Sequence, residues 1–445
     1  MLKDRYGNSV STTSSAALAH YNEALDLLRT YRGDPIAALD AALAEDPQFG
    51  AAWAARAGLL VQQTDKAYAD EAIRSVRAGL AANLNDRERL HLLAAHDWTE
   101  GRFHQGTARL GLLAREHPRD LVALQYAHVG CFFLGMQHEL RDWPLQALRA
   151  FSPGEDGRSY ALGMAAFGLE ECGDYARADR YGREAVEVDP RDGWAVHAVA
   201  HVNEMRGDLD VGIPWLADNA RFWAPDSGFA YHNWWHLALL HLDRGDITTV
   251  LQFYDENVRP DPDAQVLLEW IDASALLWRL KLEGVELGDR FDSLAACWAR
   301  AAEDGIYAFN DVHAMMAFLG AGRTADIERT LRTLRRAAAE QNDNGYMTRT
   351  VGLPLAEALI AFEAGRHGEC VEKIAAVRGV AQRFGGSHAQ RDIFSLTAIH
   401  AALCAGMTGF AQSFAAERLA HKPHSPWAQR LGRRAASLSE RQQAA

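Results

Sequence analysis

Histidine is the residue type that stands out. The chain of 445 residues carries 18 of them, roughly twice ordinary usage, and several recur at helical spacing. His197, His201 and Glu204 stand at i, i+4 and i+7, one stripe of a helix. Two imidazoles and a carboxylate on one stripe are donors that zinc or iron accepts. The same groups equally make a histidine general base oriented by a carboxylate. The order H-x-x-x-H-x-x-E differs from the H-E-x-x-H of zinc peptidases. The plainer alternative is a helix on the inner side of an array, its histidines hydrogen-bonded to neighbouring helices.

A second group is His232-Asn-Trp-Trp-His236, with His241 five residues on. His232 and His236 share a helix face, and Trp234 and Trp235 offer flat apolar walls of the kind an organic ligand meets. A double tryptophan serves a plain core equally well. The third group runs from Gly385 through Ser387, His388, Gln390 and Arg391 to Asp392. Ser387 and Gln390 have the spacing of a capping box. Arg391 can clamp a carboxylate or phosphate, or pair with an aspartate such as Asp392 of a neighbouring turn. A smaller pair is Asp311, expected to cap the helix that follows, and His313, expected in its first turn and facing the same interior.

Other chemistries are excluded. No P-loop, dinucleotide glycine fingerprint or G-x-S-x-G elbow is present. The net charge of −13, with no basic stripe carrying interleaved aromatics, argues against nucleic acid and against an anionic membrane surface as partners. No apolar run reaches membrane-spanning length, and the polar N-terminus lacks a secretory core. Cys131, Cys172, Cys297, Cys370 and Cys404 are odd in number and widely spaced, so they read as small buried hydrophobes in a reducing, cytoplasmic setting.

The elements that must position these residues are helices. Ala, Leu, Arg and Glu dominate, 13 prolines interrupt 445 residues, and alternating strand patterns are nearly absent. Asp46-Pro47, His117-Pro118 and Asp189-Pro190 stand 71 and 72 residues apart, two units of tetratricopeptide length. Gly101, Gly173, Gly207 and Gly245 follow at intervals of 72, 34 and 38. The prolines are expected at the first helical position with the preceding Asp as cap, and the glycines in left-handed helix ends. Residues 175–188 read as a second helix of a pair, and Trp194–Met205 as the first helix of the next. The expected fold is all-α, a tetratricopeptide-like α-α superhelix of about 20 helices. Residues 16–434 form a single helical-repeat array, regular to about residue 260 and degenerate after, between flexible ends at 1–15 and 435–445.

Three strings, Trp194 to Met205, His232 to Leu239 and Gly386 to Asp392, resemble those of the tetratricopeptide repeat protein 38 family, and the likeness covers about Ala17 to Arg434. The resemblance implies an all-helical protein of degenerate repeats and implies no particular reaction. The residues themselves point to an enclosed His/Trp-rich interior site for a small anionic organic molecule. His201, His232, His236 and His388 would act in acid–base chemistry of a hydrolase or lyase type. His197, Glu204, Trp234, Trp235, His313, Gln390, Arg391 and Asp392 would bind the ligand. No resident cofactor is expected, a divalent metal at His197, His201 and Glu204 being the weaker option. The alternative is a non-catalytic scaffold whose groove takes a peptide or protein partner, with self-association left open.

Overall fold

The spacing of apolar residues produces one helix after another. The structure, a computed structural model, describes residues 2–444, with side chains to Leu438. Among the described residues there are 24 α-helices and no sheet, only the isolated bridges Lys3↔Ser9 and Arg32↔Ser227. The fold is all-α, as expected. Helices that open at Ser15, Gly50, Asp86, Leu121, Arg158, Gly193, Ala230 and Leu267 follow at 35, 36, 35, 37, 35, 37 and 37 residues. Each interval holds a second helix or helical segment, which is the tetratricopeptide-like α-α repeat. Helices opening at Ala308, Leu353, His388 and Pro426 continue at 41, 45, 35 and 38 residues.

Two compact units divide the chain, Met1–Val199 with Asn219–Ala230, and Ala200–Asp218 with Tyr231–Ala445. In the first unit each helix packs on the next, from Ser15–Thr30 against Pro35–Glu45 to Arg158–Glu171 against Tyr175–Val188. Ahead of the first helix, Tyr6, Val10 and Thr12 are buried. In the second unit the Leu267–Leu282 helix is apolar on nearly every side, so it is surrounded. It packs against Arg290–Trp298, Ala308–Gly320 and His388–Cys404. Of the C-terminal stretch 435–445, residues 435–444 continue the helix Pro426–Ala444, and the side chains from Ser439 on lie outside the described residues.

Turn chemistry follows the expected logic at the glycines and departs from it at the prolines. Gly101, Gly173, Gly207 and Gly245 have φ of 72°, 80°, 73° and 93°, the left-handed region that ends a helix without a Cβ clash. Asp46 and Asp189, by contrast, close the preceding helices. Their carboxylates accept from the amides of Gln48 and Arg191 two residues on, an Asx turn that makes the bend. The following helices are capped later, by Asp192 accepting from the Ala195 amide at 2.9 Å in the third pair. The cysteine expectation also needs correction. Cys131, Cys297 and Cys370 are buried, but Cys172 is half-buried and Cys404 exposed. No helix among the described residues is long and apolar enough to cross a membrane.

Close backbone approach is set by glycines inside helices. A Cβ on Gly168 would stand 2.3 Å from the Leu140 carbonyl oxygen, where Arg158–Glu171 meets Gln137–Ala147. Around Gly432, in Pro426–Ala444, nothing lies within 4 Å of that position. Gly432→Ala should therefore stabilise the protein by about 0.5–1 kcal/mol, the ordinary helix gain. Gly168→Ala should instead lower the melting temperature, because backbone must separate. Paired thermal melts of the two variants check this.

Candidate functional site

The second unit gathers the polar side chains that its apolar helices would otherwise exclude. His232 and His236 lie one turn apart on Ala230–Arg244 and are both buried. His232 Nδ1 lies 2.6 Å from Asp272 Oδ2, on Leu267–Leu282. His236 Nδ1 lies 2.9 Å from Glu204 Oε2, on Gly193–Arg206. His201, one turn before Glu204, sets its ring 4.4 Å from that of His236, and the His232 ring lies 4.9 Å from His236 on another side. Ligating atoms of His201, His232 and His236 lie within 4.8 Å of one another.

The carboxylates are themselves held. Lys422 Nζ donates to Glu204 Oε1 at 3.0 Å and stands 3.8 Å from Asp392 Oδ2. Arg418 pairs with Asp392 through its guanidinium. Burial alone would raise the Glu204 carboxyl, but Lys422 and then His201 outweigh it and hold it below its ordinary value. Asp392 is likewise held low by Arg418, Lys422 and Arg279 against the effect of burial. Burial pushes the His236 imidazole well below its ordinary value, and His201, His232 and Lys422 push the same way.

These directions fix a tautomer. An ionised Glu204 can only accept, so the His236 Nδ1–H donates to it. A neutral ring then carries its lone pair on Nε2. This is the arrangement of a carboxylate-oriented histidine, able to take a proton or donate to a metal.

Arg279 forms the floor of the group. Its guanidinium donates to the Ala275 and Ala389 carbonyls at 3.0 and 2.6 Å and lies over the Trp235 ring, 5.3 Å from the centroid. His232 stacks on Trp235 at 5.4 Å and 14°. Burial pushes Arg279 down to about 10, so it remains a cation at neutral pH.

The remaining expected residues distribute unevenly. Trp234 turns away to Phe253, with ring centroids 5.5 Å apart, and is only half-buried. His197 belongs to the first unit, its ring among Phe167, Trp194 and Phe229. Glu204 has one oxygen on His236 and the other on Lys422, so its carboxylate orients a neighbouring imidazole. Ser387 and Gln390 form the expected capping box. Asp392 pairs with Arg418 and Lys422, and Arg391 donates to the Gly386 carbonyl. His388 opens the helix and is half-buried. His313 lies in the second turn of Ala308–Gly320 and donates from Nδ1 to the Phe309 carbonyl at 2.7 Å.

Asp311 does not cap that helix. The Ala308 amide donates to Asn344 Oδ1 at 2.8 Å instead, which leaves Asp311 inside the helix and buried. Asp272, Arg279, Arg418 and Lys422 escaped the sequence reading. The signal for two of them was a charged residue inside an otherwise apolar helix, Asp272 after Trp270-Ile271 and Arg279 after Leu277-Trp278. Nothing local marks Arg418 or Lys422.

No known family model matches the chain. Among solved structures, the crystal structure of the APC/C hetero-tetramer Cut9-Hcn1 is similar, with a TM-score of 0.43 and 13 % identity over 97 % of this chain and 79 % of that one.

Burial pushes the Asp311 carboxyl up to about 7. A group raised on folding contributes its full stability below the unfolded value near 3.8 and loses it as pH rises through the folded value. Asp311→Asn should therefore stabilise the protein at about pH 8, by at most roughly 4 kcal/mol. Near pH 4 the substitution should change little. Thermal melts across this range check the sign.

Proposed function

We propose that the His201–His232–His236 group is the working site of the protein, binding a small acidic organic molecule and moving a proton on it. The observation that carries the reading is the pair of carboxylate–histidine contacts, His232–Asp272 and His236–Glu204, on successive turns of one helix. Two buried imidazoles, each aligned by a carboxylate from a different helix, are what a proton-transfer site requires.

Trp235 supplies the apolar wall, and Arg279 against that wall supplies the charge that an acidic ligand would meet. His388, Gln390 and Arg391 enter as secondary binding residues, since Asp392 of the same turn reaches the ion-pair network. Membership of the tetratricopeptide repeat protein 38 family belongs to this proposal. Its support is that the three resembling strings supply His201, Glu204, His232, His236 and Asp392.

The test separates binding from packing. A thermal-shift screen of carboxylic acids and phosphate monoesters should find compounds that raise the melting temperature. His232→Ala and His236→Ala should lose that shift. Leu239→Ala, in the core of the same helix, should destabilise by about 2–5 kcal/mol and keep it. Equal destabilisation by all three variants, with no compound found, would make the histidines structural and favour the peptide-binding scaffold.

A further inference from the structure

We propose that His201, His232 and His236 together hold a divalent metal, zinc fitting their chemistry best, and that its open position takes the acidic group of the ligand. The proposal rests on the reading of this centre as the site of an acidic ligand and replaces its histidine proton transfer, because an imidazole with one nitrogen on a metal and the other donating to a carboxylate has no lone pair left to take a proton.

Three observations converge on it. The ligating nitrogens of the three rings lie within 4.8 Å of one another. A tetrahedral zinc with bonds of about 2.0–2.1 Å needs its donors about 3.3 Å apart, a gap that modest side-chain rotation closes. The donors also come from two helices, His232 and His236 from one and His201 from another, so they can surround an ion on more than one side. Finally, Asp272 and Glu204 sit against Nδ1 of His232 and His236. A carboxylate on the far nitrogen is the usual support of a metal-bound imidazole, fixing ring orientation and raising donor strength.

The donor set also selects the ion. Three imidazoles suit zinc and its neighbours in the transition series. Calcium and magnesium want oxygen, and Glu204 has both oxygens engaged by His236 and Lys422.

Charge explains the acidic ligand. The buried carboxylates Asp272 and Glu204 and the half-buried Asp392 face Arg279, Arg418 and Lys422. A divalent ion held by neutral imidazoles brings two positive charges, which an anionic fourth ligand would help to offset. Burying such a charge is costly without a counter-ion. An anion as fourth ligand lowers that cost, so metal and acidic ligand favour each other's binding.

The experiment uses the full-length protein, treated with EDTA and dialysed. Zn2+ is titrated by calorimetry, and Co2+ is followed by its visible spectrum. The expected result is one equivalent of metal, a raised melting temperature and the intense bands of low-coordinate Co2+. His201→Ala and His236→Ala should each weaken binding at least about 100-fold. Asp272→Asn keeps all three donors and should weaken it about 10–100-fold at unchanged stoichiometry, which keeps the test valid if a histidine variant fails to fold. Absence of stoichiometric binding, a weak six-coordinate Co2+ spectrum, or affinity unchanged in the histidine variants overturns the metal. An acidic compound that stabilises the EDTA-treated protein while no metal binds overturns the metal and leaves the ligand site standing. Metal binding with no acidic compound that adds to it supports the ion and overturns the ligand reading.

Discussion

Glu204 is the group on which the site depends. Its two oxygens face two different demands, the His236 imidazole at 2.9 Å and the Lys422 ammonium at 3.0 Å. The ammonium keeps the carboxylate ionised in a buried place, and the ionised carboxylate sets which nitrogen of His236 carries the proton. Lys422 is 218 residues away in sequence, so the chemistry of a mid-chain helix is set by the segment that follows the Thr408–His421 helix. Removing one partner of such a buried pair typically costs about 3–5 kcal/mol, because the other charge is left uncompensated.

The same logic runs outward through Asp392, which Arg418 and Lys422 share. Arg279 then ties the Leu267–Leu282 helix to the start of His388–Cys404 through the Ala389 carbonyl. Helices that pack mainly through apolar contacts tolerate small shifts in rotation and register. Charged side chains that must meet at hydrogen-bond distance do not, so this network makes one arrangement of the helices preferable to its neighbours. A solenoid repeat supplies elements at regular intervals, and the buried ions select how those of the second unit fit together.

What could be read from sequence was what lies within one helical turn or one cap. His232 with His236 and the Ser387–Gln390 box are of this kind. The partners that give those residues their properties come from 32 and 40 positions away, as Glu204 and Asp272, and no local period encodes them. Asp311 shows the same limit in reverse. Its position looked like a cap because caps are local, yet Asn344 reaches in from 36 residues on to take the Ala308 amide. Trp234 and Trp235 were indistinguishable as neighbours; the helix turns one towards His232 and Arg279 and the other towards Phe253. The repeat itself was legible, since helix starts recur every 35–37 residues over the first 267. The prolines marked its boundaries correctly while playing a different local role.

The central claim is that a buried, ionised Glu204 holds the His236 proton on Nδ1 and leaves the lone pair on Nε2. The most direct measurement is 15N NMR of histidine-labelled protein after EDTA treatment, with His236 assigned by its loss in His236→Gln. The account predicts a neutral ring at pH 7 in the Nδ1–H tautomer, a preference that Glu204→Gln weakens. An Nε2–H tautomer, or a doubly protonated ring at pH 7, would contradict it.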